Sequence, residues 1–279
     1  MNEALKITDE EFRKFREFFY RKTGIWFDDS KRYFVDKRLI ERIKATGCDS
    51  FRSYFIKLRF ESSKKELQNL INSMTVNETY FFREEYQFRT LVNEVLPEIL
   101  ENKKDSDPIR IWSIPSSTGE EPYSIAIYLL EYWPEIERYD VEIVASDIDT
   151  EALRKAKEGV YSERSVSNLP SHILRKYFRK NEKGEYEIID ELKEAISFTR
   201  VNLCDQKDTK PYRNFHVIFC RNLLIYFDDL SRKIAAEALY DALTSGGFVF
   251  LGHAESMSRI SSIFKVRKFT ESIVYQKTA

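Results

Sequence analysis

The sequence predicts an α/β protein: a doubly wound, mostly parallel sheet, preceded by an all-helical domain and interrupted by a small β insertion. Three observations predict it. From residue 109 onward short β-rich runs alternate with helical stretches, whereas residues 1–75 carry helical periodicity alone. Between about 161 and 200 the alternation breaks into YFRKNEKGEYEIID, a hairpin-like run turning at Lys183-Gly184. A chain of 279 residues, 42% of them hydrophobic and including 21 Phe and 16 Tyr, can fill such a core.

The front part opens with TDEEFRKFREFFYRKTG, a helix with a Thr or Asp cap, Phe12, Phe15, Phe18 and Phe19 on one face, and a stop at Gly24. KRYFVDKRLIERIKATG repeats the pattern, with Phe34, Leu39 and Ile43 toward the core and Lys31, Arg38 and Arg42 outward. SFRSYFIKLRF and SKKELQNLINSM complete the helical domain. Beyond residue 109, IRIWS, VEIVASDID, SFTRVNL, FHVIFCRN, FVFLGH and SIVYQK read as strands. PYSIAIYLLEYW, TEALRKAKEG and LSRKIAAEALYDAL read as helices, the last ended by Gly246-Gly247. Ligands in such sheets sit beyond the carboxyl ends of the strands.

Composition narrows the classes of function. No apolar run approaches the roughly 18–20 residues of a membrane span, and MNEALKITDEEFRKF lacks a signal-peptide core, so a cytoplasmic protein is expected. Cys48, Cys204 and Cys220 form no CxxC pair, and His172, His216 and His253 show no ligand spacing; neither disulfides nor metal are expected. Residues 1–75 carry 17 Lys plus Arg against 12 Asp plus Glu, and the remainder 28 against 34. A basic front joined to an acidic back suggests that the front meets an acidic partner; a solvated helical surface explains the same charge equally well.

The junction IRIWSIPSSTGEEPYSIA carries the chemistry. A strand runs into a loop with one glycine, Gly119, and then into a helix that begins Glu120-Glu121-Pro122. A diphosphate wants glycines and bare amides at that position, and paired glutamates would repel it. They suit a positively charged ligand group, or they merely cap the helix. The next strand ends in Asp147, the usual place for an acceptor of ribose hydroxyls, while Asp149 and Thr150 read as a helix cap. A ligand with a ribose, a positive centre and no diphosphate is S-adenosylmethionine.

NETYFFRE at 77–84, STGEEPYSIA at 117–126, ASDID at 145–149, VNL at 201–203, FCRNLLIYF at 219–227 and GHAES at 252–256 together resemble the CheR family of chemotaxis receptor methyltransferases. The resemblance spans nearly the whole chain. It implies a helical substrate-recognition domain over 1–75 and an S-adenosylmethionine-binding methyltransferase domain over 76–279, with the β-subdomain inserted at about 161–200. It places Asn77, Thr79 and Arg83 in a segment that closes over the cofactor, and Glu121 with Glu120 near its amino group. Asp147 falls at the ribose, Asn202 and Leu203 at the adenine, and Arg221, Asn222 and Tyr226 in the later part of the pocket. Arg83 and Tyr226 take the catalytic parts, steering the incoming carboxylate and orienting substrate.

The implied reaction makes glutamate methyl esters on the receptor and leaves S-adenosylhomocysteine. A glutamate with a pKa of about 4.3 is already ionised at neutral pH, so no general base or metal is required. Alignment and desolvation of the charged pair carry the rate. The implied partner is the acidic cytoplasmic helical region of chemotaxis receptors, met by Lys31, Arg38 and Arg42. The turn FRKNEKGEY lacks the glycine-rich loop of peptide-tethering relatives, so direct recognition of receptor helices is expected rather than tethering to a C-terminal receptor peptide. A nucleic-acid methyltransferase lacks support, because Arg221-Asn222-Leu223-Leu224 stands where an Asn/Asp-Pro-Pro-Tyr segment would. A cofactor-binding adaptor without turnover stays open, and an NAD-dependent oxidoreductase lacks its glycine fingerprint.

Overall fold

A computed structural model describes residues 5–103 and 107–278. It divides into two compact units, Met1–Val76 with Tyr226–Ser231, and Asn77–Ile225 with Arg232–Ala279.

In the first unit α1 (Asp9–Thr23) begins at a capping box. Glu11 donates its N–H to Thr8 Oγ1 at 3.2 Å, and Thr8 donates its N–H back to Glu11 Oε2 at 2.8 Å. Phe12, Phe15 and Phe19 are buried and Phe18 only partly, as a 3.6-residue repeat requires of a curved apolar stripe. The helices α2 (Arg32–Ala45), α3 (Phe51–Phe60) and α4 (Lys65–Met74) follow. Tyr226–Ser231 returns to this unit, where the Tyr20 hydroxyl donates to Asp228 Oδ2 at 2.9 Å and Ile25 forms an isolated antiparallel bridge with Phe227.

α2 departs from the expected arrangement. Its inward stripe is Val35, Leu39 and Ile43, one position off Phe34, which stays half-buried. Lys31 lies in the 3-10 turn Asp29–Lys31 before the helix and is exposed. Arg38 does not project freely: its guanidinium lies 4.0 Å from the centre of the Phe34 ring. Arg42 is committed inward, donating Nε to Glu66 Oε1 at 3.0 Å and NH2 to Glu66 Oε2 at 2.6 Å. Glu66 is 4% exposed and also accepts the Tyr54 hydroxyl at 2.8 Å, so Arg42 balances a buried carboxylate. The basic residues of α2 that face solvent are Lys37 and Lys44.

The second unit starts with a helical run absent from the sequence reading: α5 (Tyr86–Thr90), a π-turn at Leu91–Val95 and α6 (Leu96–Asn102). The strands are β1 (Ile109–Ser113), β2 (Val141–Asp147), β3 (Val160–Tyr161), β4 (Phe178–Lys180), β5 (Tyr186–Ile188), β6 (Ile196–Arg200), β7 (Phe215–Cys220), β8 (Leu243–Leu251), β9 (Lys265–Lys268) and β10 (Ile273–Gln276). The main sheet runs β6-β2-β1-β7-β8-β10-β9, parallel from β6 to β8 and closed by the antiparallel strands β10 and β9. This is the mostly parallel α/β architecture expected. The small sheet β3-β5-β4 forms the insertion. β6 pairs with β2 from Ile143↔Ile196 to Asp147↔Arg200, so the last residues of the expected insertion, 196–200, belong to the main sheet.

Order reverses at β1, with β2 on one side and β7 on the other, which opens a crevice at the carboxyl ends of these strands. The helix α7 (Glu120–Tyr132) follows β1, and α8 (Thr150–Glu158) follows β2. Trp112 pins the floor beneath the crevice: its ring stacks on Tyr212 at 4.7 Å and its Nε1 donates to Ser146 Oγ at 2.9 Å.

Candidate active site

The loop between β1 and α7 is held by strand ends. Ser116 donates its N–H to the Ser146 carbonyl at 2.8 Å, and Ser117, in the left-handed region at φ 47, donates its N–H to Asp147 Oδ2 at 2.8 Å. The amide that could have met a phosphate instead meets a carboxylate. Gly119, at φ 97, ends the turn. A Cβ there would lie 2.9 Å from Ala156 Cβ and 3.0 Å from the Tyr161 hydroxyl, so the position requires glycine on two counts.

Asp147 closes β2. Asp149 donates its N–H to Asp147 Oδ1 at 2.9 Å, complementing the Ser117 amide on Oδ2. Burial nevertheless pushes the Asp147 carboxyl up to about 6. The backbone amides of Asp149, Ser117 and Ile148 work against that rise. Asn77 bridges the neighbouring loops, donating Nδ2 to Asp149 Oδ2 at 2.8 Å and accepting the Ser117 hydroxyl on Oδ1 at 3.0 Å. The segment bearing Asn77, Thr79 and Arg83 is thereby tied to the ends of β1 and β2.

The adjacent glutamates of α7 part company, since consecutive helical residues point about 100° apart. Glu121 accepts the Ser113 hydroxyl on Oε1 at 2.8 Å and Arg221 NH1 on Oε2 at 3.1 Å. Glu120 turns toward the insertion, with Oε1 accepting the Ser165 hydroxyl at 2.8 Å and Oε2 the Thr118 hydroxyl at 2.6 Å. It is 4% exposed and, like Glu121, has both oxygens engaged, but by partners in the loop and the insertion rather than by Arg221. Burial raises the pKa of both, and for Glu121 the Arg221 charge works against the rise.

Arg221 follows β7 and is 5% exposed. Besides Glu121 it reaches the Arg83 carbonyl, 2.6 Å from NH2, and Glu84, 3.3 Å from the same nitrogen. The Arg83 side chain itself donates to the Glu78 carbonyl at 2.9 Å and lies over the Tyr80 ring. Asn222 stands at φ 59 with its side-chain amide unbonded among the described residues. Asn202 and Leu203 are buried just past β6, where Val201 donates its N–H to the Asp147 carbonyl at 3.0 Å.

The carboxyl ends of β6, β2, β1 and β7 therefore present, in a row, Asn202 and Leu203, then Asp147, then Ser113 with Glu121, then Arg221 and Asn222. At about 4.8 Å per strand the row spans about 14 Å, the reach of an extended nucleoside bearing an amino-acid tail. Glu84 and Glu121 share one buried guanidinium, that of Arg221, and with Asp147 further along the row the carboxylates outnumber it among the described residues, which suits a cationic ligand. Of the six buried side-chain polar atoms without a partner among the described residues, two, Ser116 Oγ and Arg221 Nε, belong to this site, where a ligand would supply the missing hydrogen bonds. The residues present thus fit S-adenosylmethionine. Tyr226 is not gathered into this row: it groups with the helical unit, its carbonyl accepting the Trp26 N–H at 3.4 Å. Glu84 and Glu255, absent from the expected set, are added by their bonds to Arg221 and to the Asn222 amide.

Residues 77–273 match the family described as CheR methyltransferase, SAM binding domain, and residues 10–75 match CheR methyltransferase, all-alpha domain. Chemotaxis protein methyltransferase 2 of Vibrio cholerae serotype O1 is 55% identical over 277 residues, spanning 99% of this chain and 96% of its own. The chemotaxis protein methyltransferase of Escherichia coli K12 is 35% identical over 277 residues, with 96% and 91% covered. That of Borreliella burgdorferi is 34% identical over 260 residues, with 92% and 91% covered.

Proposed function

Because the chain belongs to the CheR methyltransferase family, we propose that the row from Asn202 to Arg221 is where it binds S-adenosylmethionine and methylates receptor glutamates. The protein is an S-adenosylmethionine-dependent methyltransferase acting on chemotaxis receptors. The observation that carries the placement is the sequence of strand ends, with Asp147 flanked by Asn202 on one side and by Glu121 on the other.

Each residue has a task in that reading. Asp147 accepts the ribose hydroxyls, Asn202 and Leu203 hold the adenine, and Glu121 pairs with the cofactor's ammonium group. Asn77, whose amide links Ser117 to Asp149, holds the covering segment with Thr79 and Arg83 in place. When bound, the sulfonium supplies an activated methyl group. Transfer to the receptor carboxylate would give a methyl ester and S-adenosylhomocysteine with no proton moved, so the chain's own residues would need only to hold and align the two. No side chain has to serve as base and no metal has to activate the acceptor, so the residues bind, align and exclude water. Arg83 steers the carboxylate and Tyr226 orients the acceptor in this scheme.

The acceptor belongs to the acidic cytoplasmic helices of the receptor, which places the enzyme in the cytoplasm. The exposed cations Lys31, Lys37 and Lys44 carry recognition better than Arg38 and Arg42, whose charges are spent on Phe34 and Glu66. Among the described residues no helix is long and apolar enough to cross a membrane. The test is transfer of labelled methyl from S-adenosylmethionine to a purified cytoplasmic receptor fragment. Base-labile label on glutamate is expected; base-stable label, or label on another residue type, would overturn the assignment.

A further inference from the structure

The GHAES segment gives Glu255 a task that the binding row does not reveal. Its Oε2 accepts the N–H of Asn222 at 2.8 Å and that of Gly252 at 2.8 Å, while Oε1 accepts the N–H of Leu224 at 2.7 Å. One carboxylate thus satisfies three backbone donors from the loops that follow the adjacent strands β7 and β8. The turn it holds is not one the chain adopts freely. Asn222 lies at φ 59, in the left-handed region, and it packs so closely on Gly252 that a Cβ there would fall 2.7 Å from the Asn222 amide nitrogen. Directly before Asn222 stands Arg221, the guanidinium that orients Glu121 and the Arg83 carbonyl.

We propose that Glu255 is a positioning residue for methyl transfer: its three-point clamp fixes the backbone from which Arg221 reaches Glu121, and it holds Asn222 in the conformation that leaves its amide free for a ligand. The inference rests on the reading of the strand-end row as the cofactor site. A charged acceptor suits the task because three N–H donors converge on it, two of them on Oε2, and each carboxylate oxygen can accept more than one. A neutral amide at the same length offers one acceptor oxygen and turns an NH2 toward at least one donor. Aspartate keeps both oxygens but falls one methylene short.

The test compares wild type, Glu255→Gln and Glu255→Asp by calorimetric binding of S-adenosylhomocysteine, by kcat and KM on a receptor fragment, and by thermal unfolding. The Gln variant is expected to bind the cofactor product about tenfold more weakly and to lose about tenfold in kcat, with receptor KM little changed. The Asp variant should recover part of both. A role in stability alone would lower the thermal midpoint and leave the affinity and kcat of the folded enzyme as they were, and that outcome overturns the proposal. So would variants within twofold of wild type. Should the Gln variant fail to fold, the Asp variant decides between the same outcomes. Failure of the wild type itself to bind S-adenosylhomocysteine would sink the site assignment instead, which separates the two inferences.

Discussion

Cofactor affinity should weaken as the pH is lowered, through protonation of Asp147. Burial holds this group at about 6 against an ordinary 3.8, so the unliganded fold keeps the proton more tightly than the unfolded chain does. The sign follows: stability of the free protein declines as pH rises from 3.8 to about 6 and is flat above, with a total cost of about 3 kcal/mol. Ribose hydroxyls donating to Asp147 favour its charged form, so the complex recovers part of that cost and binding prefers the ionised enzyme. At pH 5 only about a tenth of the free enzyme is ionised at this site, against nearly all at pH 7.5. Affinity is therefore expected to drop about tenfold over that interval. Calorimetry of S-adenosylhomocysteine binding at several pH values, repeated in buffers of different ionisation heat, reads both the slope and the released proton. Asp147→Asn should bind more weakly and show no such slope. A flat wild-type profile would refute the reasoning outright, and a slope that survives in Asp147→Asn would move the titration to Glu120 or Glu121, which burial also shifts upward.

Arg42→Met should destabilise the helical unit by about 3 kcal/mol in thermal or denaturant unfolding, because it leaves Glu66 buried and unpaired; Arg42→Met with Glu66→Leu should recover most of the loss. Gly119→Ala should cost about 1–3 kcal/mol through its left-handed φ and its contact with Ala156, and should weaken cofactor binding more than an alanine elsewhere in α7, as read by calorimetry.

Much of the site was legible because its residues mark places that any chain of this kind must build. Asp147 ends a strand and Gly119 ends a turn, which strand grammar alone puts at one edge, whereas Asn202 entered only through the family resemblance. What escaped the sequence depends on partners far away in the chain. Glu120 and Glu121 are indistinguishable until Ser165 and Arg221 arrive from 45 and 100 residues away. Arg42 reads as a surface cation because Glu66, its counterion, lies 24 residues on in another helix. The one-position error at Phe34 arose because Phe34 and Val35 both continue an apolar repeat, and only packing decides which faces in. SFTRVNL reads as a strand, yet the insertion's far bound at about 200 overlaps β6, because an edge strand after a hairpin carries no boundary signal of its own. Glu255 sat within a quoted motif, yet a carboxylate that gathers backbone amides has no spacing rule that would announce it.

The return of Tyr226–Ser231 to the helical unit has a consequence for inheritance. The helical unit is not a bead on a string: Tyr20 takes its carboxylate partner, and Ile25 its strand bridge, from residues more than 200 positions downstream. A hybrid made by joining one relative's first 76 residues to another's remainder would divide that unit between two parents. Exchange that respects it must also transplant a hexapeptide beginning four positions after Asn222. The first 76 residues and this hexapeptide are thus bound to be inherited together, since no single crossover separates them from the rest of the chain.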